Sequence, residues 1–237
     1  QRWLRAAERS GDQARQGVAV GTLAAVHLAA GRLQDAAAAA ERCQAFGVRN
    51  GNRQHQTTGL AFRGLVALRL GQFSVADELL SQALSHIEKT GSGSYRMVVE
   101  GMSAATALRV LDYARAEQLA DSALRRMARA QPSVASFLEG YSGMVETCQV
   151  LFQRARGSPN AHAAERRLQR AFLAFLRFAW IFPVGRPRLL FFVGTYLVDI
   201  GQRQLGRRLV SEAQRLAEAL GISYDAELAE TYLSSQN

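Results

Sequence analysis

The sequence predicts an all-α fold, a right-handed solenoid of about five stacked helix hairpins. Three observations predict it. Alanine and leucine dominate, prolines number only 4 and β-branched runs are scarce, a balance that favours helix over strand. Three segments align without gaps at an interval of 40 residues: LAAGRLQDAAAAAERC (28–43), LRLGQFSVADELLSQA (68–83) and LRVLDYARAEQLADSA (108–123). Small residues recur where paired helices must touch, Ala24, Gly64, Ala104 and Gly194 in first helices and Ala36, Ala76, Ala116 and Gly206 in second helices. Residues of this size let two helix backbones approach closely, so they read as packing contacts that a leucine would overpack.

The elements follow in order. Units are expected near 14–50, 54–90, 94–131, 134–182 and 187–221, with a terminal helix over 224–235 and part of a preceding helix in residues 1–10. Leu28, Leu68 and Leu108 recur, as do Leu33, Phe73 and Tyr113. A first helix ends near Gly31, Gly71 and Gly201, which can take the left-handed conformation that closes a helix. Ser74 with Asp77 reads as a helix cap. Ser158 reads as another cap, followed by Pro159 in the first helical position, and Pro187 suits the same position in the fifth hairpin. Loops are expected near 47–54, 90–94, 130–133, 157–161 and 183–187. No linker divides the chain, which reads as one domain over 1–237 and as a piece of a longer protein.

The most apolar stretch, FLAFLRFAWIFPVGRPRLLFFVGTYLV (172–198), invites comparison with a membrane span. Arg177, Arg186 and Arg188 interrupt it and Pro183 and Pro187 break it, whereas a span needs about 20 mostly apolar residues. It reads instead as the end of the fourth hairpin and the start of the fifth, buried by stacking.

The small–small–alanine spacing resembles the tetratricopeptide repeat. Gly64, Ala76 and Ala83 carry it, as do Ala104, Ala116 and Ala123, and Gly194, Gly206 and Ala213. In the first unit Cys43 replaces the last alanine, and the period of 40 exceeds the usual 34 of that family. The segments FAWIFPVGRPR (178–188) and LAEALGISYDAELAE (216–230) are similar to the C-terminal helical region of MalT-like and class III cyclase-associated signalling ATPases and some kinase-linked relatives. That resemblance implies a sensing or scaffolding module attached to enzyme domains.

The formal net charge is +9, and of 29 basic residues only Lys89 is lysine. Arginine spread over many helices is a weaker nucleic-acid signal than a basic stripe with interleaved aromatics, so nucleic acid is disfavoured as a partner. Cys43 and Cys148 sit among apolar neighbours and read as unbridged, buried thiols of a reduced, cytoplasmic protein. Nucleotide and nucleophile motifs fail residue by residue. The one lysine lies in EKT, with Glu88 where a phosphate loop needs glycine. GYSGM (140–144) has Met144 where a nucleophile elbow needs glycine. GSGSYR (91–96) has Arg96 where a third glycine would complete a dinucleotide fingerprint. His27, His55, His86 and His162 are widely spaced, and His27 reads as packed on an apolar face. Glu139 and Glu146 read as solvated carboxylates. The expectation is therefore no catalysis, no cofactor and no metal in this chain.

What remains is a surface. First helices should line the concave side of such a stack, and Phe62, Arg69, Met102, Arg109, Tyr141 and Tyr196 are its candidate binding residues. Apolar groups flanked by arginines suit a protein or peptide partner, including another domain of the parent chain, with Arg69 and Arg109 as charged anchors or, alternatively, as caps of helix C-termini. The function expected is a non-catalytic interaction and regulatory module of a larger bacterial signalling protein. The alternative is a sensor holding a small molecule or short peptide in the concave groove.

Overall fold

The structure, a computed structural model, describes residues 13–88 and 93–235. The helix expected in 1–10 and most of the loop expected at 90–94 lie outside the described residues. Among the described residues there are eleven α-helices and no strand. They are α1 (Gln13–Ala29), α2 (Leu33–Arg49), α3 (Arg53–Arg69), α4 (Phe73–Glu88), α5 (Gly93–Arg109), α6 (Tyr113–Met127), α7 (Leu138–Ala155), α8 (Ala161–Ile181), α9 (Arg186–Asp199), α10 (Arg203–Leu220) and α11 (Ser223–Ser235). Single 3₁₀ turns, Ala135–Phe137 and Pro183–Gly185, lead into α7 and α9.

The chain divides into two compact units, residues 1–99 and 100–237. In the first, each helix packs on the next from α1 through α4, and α1 also meets α3. Its core is built from Ala24, Leu28, Ala36, Ala40, Ala76 and Leu80, all fully buried. In the second, α6 meets α7 and α8, α7 meets α8 and α9, and α9, α10 and α11 pack in sequence. Its core holds Met144, Leu168, Phe175, Phe178, Val210 and Ala217. The small residues singled out from the sequence lie at tight crossings. A Cβ on Gly64 would stand 2.8 Å from Leu80 Cγ, and Cβ atoms on Gly194 and Gly206 would press on each other's carbonyl oxygens at 2.8 and 2.5 Å.

One turn recurs. At residues 31, 71 and 201 the glycine has positive φ. The N–H of that glycine donates three residues back, to Leu28, Leu68 and Val198, and the next N–H donates five residues back, to His27, Ala67 and Leu197. This paired bond satisfies carbonyls that a helix end leaves open. Gly51 and Gly221 close α2 and α10 in the same way. The turn at Gly51 shortens the loop expected at 47–54 to three residues between α2 and α3.

The same bonds form at residue 111, from Leu111 to Leu108 and from Asp112 to Ala107, but Leu111 has φ +61. A leucine there carries about 1–2 kcal/mol of left-handed strain, and its exposed side chain packs on little that could offset it. Leu111→Gly is expected to stabilise the protein by about 0.5–1 kcal/mol, the strain relieved less the greater entropy that glycine loses. Urea melts check this. An unchanged or lowered midpoint would show that the turn carries no strain.

Three sequence expectations about helix starts are corrected. Ser74 lies inside α4, one residue past its start at Phe73, so it is not the cap. Helix α8 begins at Ala161, and the Ser158 hydroxyl instead accepts from Asn160 N (3.2 Å) in the preceding turn. Helix α9 begins at Arg186, so Pro187 stands one residue into it, in the first turn. Among the described residues, side chains that do cap include Asn52, accepting from His55 N, and Asp112, accepting from Arg115 N, each at 3.1 Å.

Candidate functional site

The six candidate residues have separate partners. In the first unit Phe62 is buried in α3, and Arg69 Nη1 donates to Leu28 O (2.6 Å) in the last turn of α1. A cation there meets the negative end of the α1 dipole, not that of its own helix as the capping alternative from the sequence had it. In the second unit Met102 is buried, and Arg109 pairs with Glu146. Burial pulls the Arg109 pKa down, but the Glu146 charge outweighs it and the net shift is upward. Tyr141 is buried, its ring stacked 4.8 Å from that of Phe178. Burial pushes its hydroxyl up to about 12. The Tyr196 hydroxyl donates to Glu165 (2.9 Å), and its ring meets those of Phe152 and Phe172. Glu146 is thus paired rather than solvated, and Glu139 lies 3.7 Å from Arg188.

The apolar surface lies elsewhere. The C-terminal half of α8 is apolar on two opposite sides. Ala171, Ala174, Phe175 and Phe178 face the core and are buried. Leu173 (61% exposed), Leu176 (50%), Trp180 (79%) and Ile181 (47%) do not. The stretch expected to be wholly buried therefore has an exposed outer face. That composition, apolar all round, usually belongs to a helix covered on every side. Beside it runs a groove of about 520 Å³, formed by Leu176, Arg177, Trp180 and Ile181 of α8 and by residues 128–132. Arg177 Nη1 donates to Ala128 O (3.1 Å), tying that segment to the helix. The signal for this strip was present in the sequence: Leu173, Leu176 and Trp180 are spaced i, i+3, i+7, opposite the buried set.

A second concavity, about 590 Å³, lies between α6, α7 and the start of α8. Arg154 covers the Tyr113 ring at 3.6 Å. Arg167 is held by Glu117 (2.6 Å) and Asp121 (2.8 Å), so its charge is matched within the protein.

Cys43 and Cys148 are free and buried, and burial pushes both thiols up to about 12. Such thiols are poor nucleophiles at neutral pH. His27 is half-buried and accepts from Arg32 Nε (3.0 Å), a polar contact rather than the apolar packing expected. Among the described residues, no group of three or more His, Cys, Asp or Glu could hold a metal ion, and no helix is long and apolar enough to cross a membrane. No protein-family model matches the chain, and no curated protein matches it in sequence.

Proposed function

We propose that this chain is a non-catalytic protein-interaction module, and that it serves as a regulatory scaffold of a larger cytoplasmic signalling protein. In this reading the helix pairs form a right-handed, tetratricopeptide-like stack, and the α8 surface receives the partner. The observation that carries the reading is the outer face of α8. A rigid helix, anchored by Phe175 and Phe178, presents Leu173, Leu176 and Trp180 to solvent. Apolar side chains clustered in this way mark partner surfaces, and tryptophan is prominent among residues that dominate binding energy. The signalling context rests on the resemblance of 178–188 and 216–230 to MalT-like and cyclase-associated ATPases.

The test is a photo-crosslinking amino acid at position 180 in cells that make the protein, with position 26, exposed on α1, as the control. Protein adducts are expected from 180, and the Leu173→Asp/Leu176→Asp variant should lose them while keeping the parent melting curve. Adducts no stronger at 180 than at 26 would end the proposal. A second reading, a small-molecule or short-peptide sensor, is favoured by the concavity beside Arg154, whose volume falls within the range of about 300–1,000 Å³ typical of ligand sites. The same experiment separates the two, because a sensor would leave position 180 without protein adducts.

A further inference from the structure

We infer that the groove between α8 and residues 128–132 receives an acidic amphipathic helix of a protein partner, its apolar stripe on Trp180 and Leu176 and its carboxylates on Arg129 and Arg177. The inference deepens the interaction reading above and rests on it.

Three observations specify the occupant. The first is charge. The residues forming the groove include Arg129 and Arg177 and no Asp or Glu, and the exposed Arg170 extends the basic face of α8 about two turns back from Arg177. This contrasts with the concavity at Tyr113, where Glu117 lies in the lining and neutralises Arg167. A guanidinium can hold a carboxylate through two parallel N–H···O bonds, so an arginine rim selects for acidic side chains. The second is spacing. Leu173, Leu176 and Trp180 run along α8 over about 10 Å, two helical turns. That length and stripe match a partner helix presenting anchors at i, i+3, i+4 and i+7. The third is shape. The 128–132 segment, tied down by the bond from Arg177 to Ala128 O, gives the strip a wall. A walled groove takes a helix edge, whereas insertion into a lipid surface calls for an unobstructed apolar face.

Trp180 also supplies the readout. The chain has two tryptophans, Trp3 and Trp180, so in a Trp3→Phe background the emission reports position 180 alone. The probe is a synthetic helical peptide with leucines at i, i+3, i+4 and i+7 and glutamates on its flanks; its counterpart carries lysine for every glutamate. The acidic peptide should shift the emission to the blue in a saturable way. Arg129→Glu with Arg170→Glu should weaken its binding at least about tenfold without moving the melting temperature. Equal binding of the lysine peptide would overturn the charge assignment and leave the interaction reading intact. A blue shift with anionic phospholipid vesicles but not with the acidic peptide would replace the partner with a membrane surface. A dimer in sedimentation that Trp180→Asp dissociates would make a second copy the occupant. No response to any probe would overturn the groove assignment, and crosslinking from position 180 would then tell whether the interaction reading falls with it.

Discussion

Gly101→Ala is expected to destabilise the protein by about 2 kcal/mol, although alanine is the better helix former. Gly101 lies within α5, where glycine normally costs about 0.5–1 kcal/mol relative to alanine. In an open helix the substitution would therefore stabilise. Here α5 and α7 cross on glycines. A Cβ on Gly101 would overlap the Gly140 carbonyl, and one on Gly143 would overlap the carbonyl of Gly101. The obstacle is backbone on both sides, so no rotamer change relieves it and the helices must move apart. Overpacking of this kind costs about 1–3 kcal/mol, and a backbone obstacle places it at the upper end. Subtracting the propensity gain leaves the net loss. Gly143→Ala should behave alike, and the double variant should lose less than the sum, because one separation of the helices accommodates both methyls. Urea denaturation of the three variants decides the matter. A gain in stability for Gly101→Ala would mean that α5 and α7 do not cross here.

That crossing shows how far the sequence could be read. The 40-residue recurrence exposed the helix pairs and the turns at Gly31 and Gly71, because each turn needs a left-handed residue and glycine is the cheapest one. It also concealed something. Gly51 closes α2 with the same paired bond, so between Gly31 and Gly71 the rhythm is one helix and one turn every 20 residues, and the alignment by pairs conceals it. The segment GYSGM reads from sequence as a failed nucleophile motif, yet Gly140 and Gly143 lie at a helix crossing. The pairing of these two with Gly101, about 40 residues upstream, has no local signature.

The candidate binding residues were harder to read for a different reason. Position on a first helix says which residues can point inward, but burial depends on what the neighbouring helices leave open. Phe62, Met102 and Tyr141 are covered, while Trp180, in the apolar stretch expected to be buried by stacking, is exposed. Composition alone cannot tell which side of an all-apolar helix lacks a neighbour. Arg188 was similarly opaque. An arginine set in PVGRPRLLFF can only be tolerated if a carboxylate meets it, and that carboxylate comes from the terminal helix, 37 residues away.

The consequence is the second large effect. Arg188→Met is expected to cost about 3–5 kcal/mol, the usual penalty for breaking a buried ion pair from one side. Arg188 is 4% exposed and Asp225 3%. The guanidinium donates to Asp225 through Nε (2.7 Å) and Nη2, and through Nη1 to the Ser142 hydroxyl at 2.8 Å. Glu139 stands 3.7 Å away, and the Tyr224 ring faces the guanidinium at 4.8 Å. Burial pulls the Arg188 pKa down, but Asp225 and Glu139 outweigh it and the net shift is upward. The charge therefore persists at any pH where the protein is handled, and the penalty should not fade in alkali. Removal of the arginine leaves the Asp225 carboxyl buried without its main counterion. Removing both charges should cost far less, because the desolvation of each ion disappears along with their attraction. Arg188→Met with Asp225→Leu is thus expected to recover most of the loss, short by about 0.3–1 kcal/mol for an acidic residue missing from the first turn of α11. Arg188→Lys should fall between, since an ammonium cannot reproduce the forked contact or the stacking on Tyr224. Hydrogen exchange adds a local readout. In Arg188→Met the amides of α11 should lose protection before those of α9 and α10, because the ion pair fastens the terminal helix to α9. If the single variant melts like the parent, or the double variant is as unstable as the single one, the pair does not hold that helix in place.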